Sequence, residues 1–325
     1  MQAERASLAP PRRTVSRWLI ALVLSLFSNH ARAADDLSTK VWIHGSEDCS
    51  THRDPAIEVF QFDADTFILR QSKCVHFEAP FIYVLFGEHT VFVQDTGATE
   101  EPDRFPLFET VQSLIARRGP RAGAPLGILV THSHSHSDHT AADAQFRGKP
   151  GVTLVEPNAD AVRRHFRFGN WPNGTSRIDL GGRELLVIPT PGHHDEHVAV
   201  YDSRTRWLLT GDTVYPGQLY VMDWPAYKAS VHRLAEFADT HAVSAVMGTH
   251  IEMSRTSGKL FARGSTFQPQ EAGLALTAAD LRMLDASLRR SGDEPMEIPL
   301  GKFVVTPVSP FVRALGALLE WLGVL

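Results

Sequence analysis

Short runs of apolar and β-branched residues, separated by turn residues, fill the first part of the chain after about residue 56. Four of them predict strands of an antiparallel meander, at residues 57–61, 66–70, 81–86 and 90–93. Apolar spacings typical of helices then alternate with short apolar runs. Helices are predicted at 103–118, 140–146, 159–168, 224–239 and 277–290, and strands at 127–130, 152–156, 177–180, 184–189, 197–202, 207–209 and 242–247. Two sheets with helices on their outer faces satisfy this order, so the sequence predicts an α+β fold.

The first 33 residues have the pattern of a secretory signal peptide. Arg12, Arg13 and Arg17 precede a short apolar run that ends at Phe27, and a small-x-small cleavage pattern ends at Ala33. This run is too short for a stable membrane span. We therefore expect a periplasmic or secreted protein with a catalytic domain over residues 34–300.

The last 25 residues, 301–325, are expected to form a C-terminal extension with an apolar helix over 311–325. Arg313 and Glu320 interrupt its apolar pattern, and the stretch is too short to span a bilayer. A helix docked on the body and a homodimer interface both agree with this pattern.

Composition and charge narrow the class of partner. Hydrophobic residues make up 43% of the chain and charged residues 21%, which is typical of a soluble globular protein. Signal cleavage would remove five arginines and one glutamate, which takes the formal charge from −5 to −9. Because such an acidic chain without a basic run binds nucleic acid poorly, we expect a small-molecule substrate and no nucleic-acid partner.

Two cysteines, Cys49 and Cys74, lie outside the signal pattern. An even pair in an exported protein suggests a disulfide, and two buried thiols are the alternative. Neither cysteine has the spacing of a metal-binding pair.

A histidine cluster follows the predicted strand at 127–130. Four of the eight residues from His132 to His139 are histidines, and the cluster contains the pattern H-x-H-x-D-H, formed by His134, His136, Asp138 and His139. A single histidine is usually a core residue, but a cluster that includes a carboxylate favours metal binding. A solvated histidine-rich loop is the alternative.

Three further strand ends each carry one potential ligand. Small residues beside each of them would let the backbone turn sharply. Alone, any of these segments would read as an ordinary turn. The three strand-end segments are Thr190-Pro191-Gly192-His193, Thr210-Gly211-Asp212-Thr213 and Gly248-Thr249-His250.

Together with Asp95 in Asp95-Thr96-Gly97, these motifs occur in the order of the metallo-β-lactamase superfamily, which the chain resembles over roughly residues 81–250. The resemblance implies a four-layer αβ/βα sandwich. It also implies two divalent metal ions, and the nitrogen and oxygen ligands allow zinc, iron or manganese, with zinc the leading expectation. The implied ligands are His134, His136 and His193 for the first metal, Asp138, His139 and His250 for the second, and Asp212 between them.

The resemblance also gives roles to residues around these ligands. Asp95 and His197 are expected to orient ligands, and Asp138 is expected to act as a catalytic proton carrier. His132 is left over and is predicted to lie at a strand end or behind the ligands. Tyr215, Tyr220 and Trp224 are expected to line the substrate pocket, with a core position as the alternative for Trp224. His194 and Glu196 are expected to be exposed.

The ligand set favours one class of reaction. Asp212 stands where the β-lactamases of the family usually carry Cys or Ser, and a bridging aspartate is similar to glyoxalase II and the lactonases. We therefore expect a zinc-dependent hydrolase that cleaves an ester, thioester or lactone carbonyl with a metal-bridging hydroxide. The export pattern favours the alternative of a β-lactamase-like amide hydrolase. Alternatives of another class are a diiron redox protein and a non-catalytic metal-binding protein.

Overall fold

The computed structural model describes residue 37, residues 39–119 and residues 125–309. The predicted signal peptide and the predicted apolar helix over 311–325 lie outside the described residues. Within the part of the chain that the structure describes, no helix has both the length and the apolar character needed to cross a membrane.

The strands and helices follow the predicted order closely. The predicted strands at 81–86 and 184–189 have the predicted bounds, and most other elements differ by a few residues at their ends. In chain order the strands are β1 (Ile57–Asp63), β2 (Thr66–Gln71), β3 (Phe81–Phe86), β4 (Thr90–Gln94), β5 (Gly127–Thr131), β6 (Val152–Leu154), β7 (Ser176–Asp179), β8 (Glu184–Pro189), β9 (Val198–Asp202), β10 (Trp207–Gly211), β11 (Gln218–Val221), β12 (Ala245–Gly248), β13 (Ala275–Leu276), β14 (Ile298–Pro299) and β15 (Val304–Pro307). The helices are α1 (Leu107–Arg118), α2 (Ser137–Thr140), α3 (Asp143–Phe146), α4 (Ala159–His165), α5 (Trp224–Thr240) and α6 (Ala278–Arg290).

Two large sheets form the centre of the protein. The first has the order β1-β2-β3-β4-β5-β6, antiparallel from β1 to β4 and parallel from β4 to β6. The second has the order β13-β12-β10-β9-β8-β7, in which only β10 and β12 are parallel neighbours.

Side-chain alternation along the strands separates three apolar layers. In β3, Phe81, Tyr83 and Leu85 pack toward the second sheet, whereas the residues between them pack with α1. In β8, Leu186 and Ile188 pack with α5 and α6 on the outer face of the second sheet. Helix, sheet, sheet and helix therefore follow one another, which confirms the predicted α+β sandwich.

The helices begin where the sequence provides caps. The Asp223 side chain accepts a hydrogen bond from the Ala226 N–H at the start of α5. At the start of α6, Thr277 and Asp280 form a capping box, as expected for Thr277 as N-cap. The single helix predicted over 140–146 is instead two short helices, α2 and α3, which meet where Ala142 leaves helical geometry.

A small third sheet joins strands from both sides of residue 300. Strand β15 pairs in parallel with β11 and antiparallel with β14. Phe303 and Val305 lie in the same apolar core as α5 and α6. Residues 303–307, which were predicted to lie in the C-terminal extension, thus pack against the outer face of the second sheet. The sequence predicts no strand at the position of β11.

Cys49 and Cys74 are bonded to each other. The bond ties the loop before β1 to the segment 72–79 between β2 and β3. That segment also carries Lys73 and Glu78, which lie near the metal centre described below.

Candidate metal centre

The predicted ligands meet at one edge of the sandwich because each follows the end of a strand. Asp95 follows β4, the histidine cluster follows β5, and Asp212 follows β10. All seven predicted ligands lie in two clusters, and within each cluster the potential ligand atoms are within 4.8 Å of one another. The first contains His134, His136 and His193, and the second contains Asp138, His139, Asp212 and His250.

Three ring nitrogens converge in the first cluster. His136 Nδ1 lies 2.8 Å from His134 Nε2 and 3.1 Å from His193 Nε2. Burial, together with the neighbouring His193, lowers the pKa of His136 to about 3. Burial and the surrounding imidazoles also hold the pKa of His134 well below its ordinary value. All three rings are therefore neutral, which is the form that binds a metal ion.

Two carboxylates and two imidazoles form the second cluster. Asp138 Oδ2 lies 3.2 Å from His250 Nε2 and 3.4 Å from His139 Nε2. Burial alone would lower the pKa of His250, but Asp212 and Asp138 raise it to about 9. In the absence of a cation the rings are thus held by protons, which a metal ion would displace.

Asp212 reaches both clusters. Its Oδ1 lies 3.5 Å from the Nε2 atoms of His139 and His250, and its Oδ2 lies 3.7 Å from His193 Nε2. The Thr249 hydroxyl donates a hydrogen bond to Oδ1 at 2.5 Å. One carboxylate oxygen is therefore available to each group of ligands.

Oxygen atoms behind three of the histidine rings determine which ring nitrogen is free to bind a metal ion. His193 Nδ1 lies 2.8 Å from the Tyr220 carbonyl, and His250 Nδ1 lies 3.2 Å from the Glu78 carbonyl. His139 Nδ1 lies 3.1 Å from Asp95 Oδ2. With the proton on Nδ1, the Nε2 lone pair of each ring points into the site. The donor set therefore fits two divalent cations.

Asp95 contacts the His139 ring and also holds the backbone of the histidine loop in place. Its backbone has φ of 70°, and its carboxylate accepts hydrogen bonds from the Ser133 N–H at 2.7 Å and the Ser133 hydroxyl at 3.1 Å. Asp95 thus lies behind the ligands and orients one of them, as the resemblance implies.

His197 supports the other side of the site. Its Nε2 accepts a hydrogen bond from the Asp212 N–H at 3.2 Å, and its Nδ1 lies 2.8 Å from the Thr190 hydroxyl. A Cβ atom on Gly211 would lie only 2.5 Å from Ser133 Cβ and 2.7 Å from His197 Nε2. Glycine is therefore required immediately before Asp212.

Two of the three predicted pocket aromatics are buried in the protein interior. Tyr215 is only 2% exposed, and its hydroxyl bonds to the Gln218 carbonyl and to Glu252, so it cannot donate freely to a substrate. Trp224 begins α5 and packs in the outer core, which is the alternative that the sequence left open. Tyr220 is half-buried and lines a cavity beside the metal centre.

The prediction that Glu196 is exposed is wrong. Its buried carboxylate accepts a hydrogen bond from the Ser135 N–H at 3.0 Å and pairs with His194, which is half-buried. A loop with several ligands needs acceptors for its backbone N–H groups, and the sequence pattern does not show which acid provides one. The roles of the Glu78 and Tyr220 carbonyls were missed for a similar reason, because any residue type supplies a carbonyl.

Comparison with known proteins agrees with this site. Residues 77–250 match the family model of the metallo-beta-lactamase superfamily. The chain is 26% identical over 156 residues to a hydroxyacylglutathione hydrolase of Rhizobium meliloti (strain 1021), covering 46% of this chain and 55% of that enzyme. It is 25% identical to the hydroxyacylglutathione hydrolase of Chelativorans sp. (strain BNC1), covering 67% of this chain and 79% of that enzyme.

Two further similarities complete the comparison. The acyl-coenzyme A thioesterase MBLAC2 of Bos taurus is 34% identical over 205 residues, covering 52% of this chain and 72% of that protein. Among solved structures, a metallo-beta-lactamase from Pontibacter korlensis is 19% identical with a TM-score of 0.44, covering 60% of this chain and 91% of that chain. The hydroxyacylglutathione hydrolase relatives support the ligand set of a metal-dependent hydrolase. Because the family model matches residues 77–250, which is more than half of the chain, the chain belongs to the metallo-beta-lactamase superfamily.

Proposed function

We propose that the protein is a binuclear metal-dependent hydrolase that cleaves thioesters after export from the cytoplasm. The position of Asp212 carries the proposal, because one of its oxygens faces each cluster of ligands. The similar proteins support the thioester class, since hydroxyacylglutathione hydrolases and an acyl-coenzyme A thioesterase act on acyl–thiol bonds.

Zinc is the leading choice for both positions, because imidazole and carboxylate are the ligands of catalytic zinc sites. Two such ions, when bound, lower the pKa of a bound water to near 7 and polarise a substrate carbonyl. His134, His136 and His193 would hold one ion, and Asp138, His139 and His250 the other, with Asp212 shared.

Asp138 is the residue best placed to move the proton. Its side chain is 19% exposed, whereas the side chains of His139, Asp212 and His250 in the same cluster are 0%, 9% and 4% exposed. It can therefore accept a proton from the attacking water and pass it to the sulfur as the carbon–sulfur bond breaks. Asp95 and His197 keep the ligands oriented during this transfer.

Metal analysis by mass spectrometry, combined with a substrate panel, tests the proposal. The protein without residues 1–33 should bind two equivalents of zinc and hydrolyse S-acyl thioesters faster than esters, lactones or a cephalosporin. Asp212→Ala should lose at least one equivalent and most of the hydrolysis. Asp103→Ala is the matched control, because Asp103 is exposed and remote in the chain from the ligands.

Other outcomes would contradict the proposal in identifiable ways. Turnover of the cephalosporin alone would favour the amide hydrolase. Two equivalents of iron would favour the redox protein, and no bound metal after reconstitution would overturn the metal site itself.

Export is tested separately from catalysis. The signal pattern of residues 1–33 and the Cys49–Cys74 bond support it, because disulfides persist in oxidising compartments. The N-terminal residue of the protein recovered from the periplasm of a Gram-negative host should be Ala34. An uncleaved chain confined to the cytoplasm would contradict export and leave the hydrolase proposal intact.

A further inference from the structure

The chain between β6 and β7 contains a segment that is both basic and aromatic. Residues 161–178, the basic segment, include four arginines, one histidine, three aromatic residues and no acidic residue. The chain as a whole has 37 acidic and 32 basic residues, so this local excess of positive charge is unusual for it. Because β6 and β7 are edge strands of the two large sheets, the basic segment crosses one open side of the sandwich.

Three arginines of the basic segment have no acidic partner. Arg163, Arg164 and Arg167 are exposed, and no carboxylate among the described residues forms an ion pair with any of them. They are also not needed to cap α4, because the carbonyls of Val162, Arg163 and Arg164 accept hydrogen bonds from backbone N–H groups. The three guanidinium groups are therefore available to a partner outside the chain.

The backbone of Arg167 gives a second, independent reason to look for such a partner. Its φ is 57°, in the left-handed region, and it directly follows Phe166, the C-cap of α4. Glycine is the usual residue at this position, because a Cβ atom makes the left-handed conformation unfavourable. A long cationic side chain at a position that favours glycine indicates that the side chain itself has a function.

Trp171 adds an aromatic surface next to these cations. The guanidinium carbon of Arg163 lies 5.4 Å from the centre of the Trp171 ring, and Phe168 packs edge-on against the same ring at 5.4 Å. Both aromatic rings are half-buried, so a part of each reaches the surface. Aromatic rings with one apolar and one wet side, flanked by cations, are typical of positions at a membrane–water interface.

We infer that the basic segment binds the anionic surface of a phospholipid membrane. The lipid phosphates would bind Arg163, Arg164 and Arg167, since a guanidinium group matches phosphate with two parallel hydrogen bonds. The Trp171 ring would lie among the headgroups. Because the three arginines are exposed and not enclosed in a cavity, they suit an extended charged surface better than a single soluble phosphate.

The charge of the remaining surface gives this attachment a direction. An anionic membrane repels an acidic protein everywhere except at a cationic patch, so the protein would dock by the side that carries the basic segment. The attachment is peripheral and uses none of the metal ligands. The inference therefore does not depend on the proposed hydrolase activity.

Vesicle co-sedimentation of the protein without residues 1–33 tests the inference. One set of vesicles contains phosphatidylglycerol and phosphatidylcholine in equal parts, and the other contains phosphatidylcholine alone. The protein should bind the mixed vesicles and leave the uncharged ones in the supernatant. Raising NaCl from about 0.05 M to about 0.5 M should release it, because salt screens the attraction between exposed charges.

Two triple variants show whether the arginines carry the binding. Arg163→Gln/Arg164→Gln/Arg167→Gln should weaken binding to the mixed vesicles about fivefold per arginine, and roughly a hundredfold in total. Arg163→Lys/Arg164→Lys/Arg167→Lys keeps the positive charge and should retain most of the binding. A purely structural role of the guanidinium groups would not be rescued by lysine.

A matched control has the same change of net charge on other surfaces. It replaces three exposed arginines outside the basic segment, as Arg53→Gln/Arg282→Gln/Arg289→Gln. This variant should bind the mixed vesicles within about twofold of the native protein, because charges more than a Debye length from the membrane are largely screened. Equal Tm values of the native protein and the glutamine variants would show that all of them are folded.

Four results would overturn the inference. The first is equal binding of the mixed vesicles by the native protein and the glutamine variant of the basic segment. The second is equal binding of both kinds of vesicle by the native protein, since that binding needs no lipid charge. Displacement by poly-L-glutamate would indicate an acidic protein as the partner. Displacement by sn-glycerol 3-phosphate at constant ionic strength would indicate a soluble phosphate ligand. Each of these results leaves the hydrolase proposal unaffected, because hydrolysis is not measured.

Discussion

His132 Nε2 lies 2.8 Å from Asp143 Oδ1, so the extra histidine of the cluster is paired on the side of α3 and away from the metal ligands. Thr96 donates a hydrogen bond to the same carboxylate oxygen at 2.8 Å, and the Thr96 N–H donates to the His139 carbonyl at 2.7 Å. His132 follows Val130 by two positions and so continues the face of β5 that packs toward α1 and α3.

Because Asp143 engages the His132 ring, the predicted ligand register, in which His136 and not His132 binds metal, can be tested. We expect His132→Ala to keep the full metal content, whereas His136→Ala should lose an equivalent. His132→Ala should still lower the free energy of unfolding by about 2 kcal/mol, because it removes a buried partner of Asp143. Metal analysis and urea unfolding of the two variants check this. Loss of metal in His132→Ala with retention in His136→Ala would show that the ligand register is wrong.

The sequence could predict the two clusters because five of their seven members are histidines, an uncommon residue type, and because all seven follow strand ends. The spacing of His134, His136, Asp138 and His139 needs no tertiary information, and strand ends of one sandwich edge meet by topology. The pattern also separated His132 from the ligands. It could not show that Asp143 holds His132, because that contact depends on how α3 packs.

The sequence pattern could not predict contacts between segments that lie far apart in the chain. Strand β11 is four residues long and pairs with β15, more than 80 residues later, so its own residues give little strand signal. The burial of Tyr215 depends on Glu252, which the sequence does not connect to it.

Asp95→Asn should weaken metal binding without unfolding the protein. The substitution removes the negative charge that His139 Nδ1 contacts at 3.1 Å, and replaces one acceptor of the Ser133 bonds with an amide N–H₂ group. Loss of such a supporting partner typically costs 10- to 100-fold in metal affinity. Chelator competition measures the effect, with Asp103→Asn as the exposed control. Equal affinities in the two variants would contradict the orienting role of Asp95.

Replacing both cysteines should destabilise the protein and loosen the second cluster. The Cys49–Cys74 bond closes a loop with a sequence separation of 25, for which chain entropy predicts about 3 kcal/mol. The segment it anchors contains Glu78, whose carbonyl contacts His250. We therefore expect Cys49→Ser/Cys74→Ser to have a lower Tm and to release zinc faster to a chelator. Tris(2-carboxyethyl)phosphine, a reductant without thiolate ligands, should reproduce both effects in the native protein and have none in the double variant. An unchanged Tm would show that the bond does not brace this segment.

Lys73→Met should stabilise the protein at neutral pH. Burial, followed by the positive charge of Arg70, lowers the pKa of Lys73 from 10.5 to about 8. Between these two values the unfolded chain binds more protons than the folded one, so this lysine makes stability rise with pH in that window. Below pH 8 the buried Lys73 ammonium lowers the free energy of unfolding by its full amount, about 3 kcal/mol. Methionine at this position would remove that loss of stability.

Urea unfolding of the native protein and of Lys73→Met at pH 7 and near pH 10.5 measures this difference. The variant should be more stable at pH 7 by up to about 3 kcal/mol, and the gap should nearly close at the higher pH. Lys149→Met is the control and should show no such gap, because Lys149 is exposed. A variant less stable than the native protein at pH 7 would mean that the Lys73 ammonium is already stabilised in the folded protein.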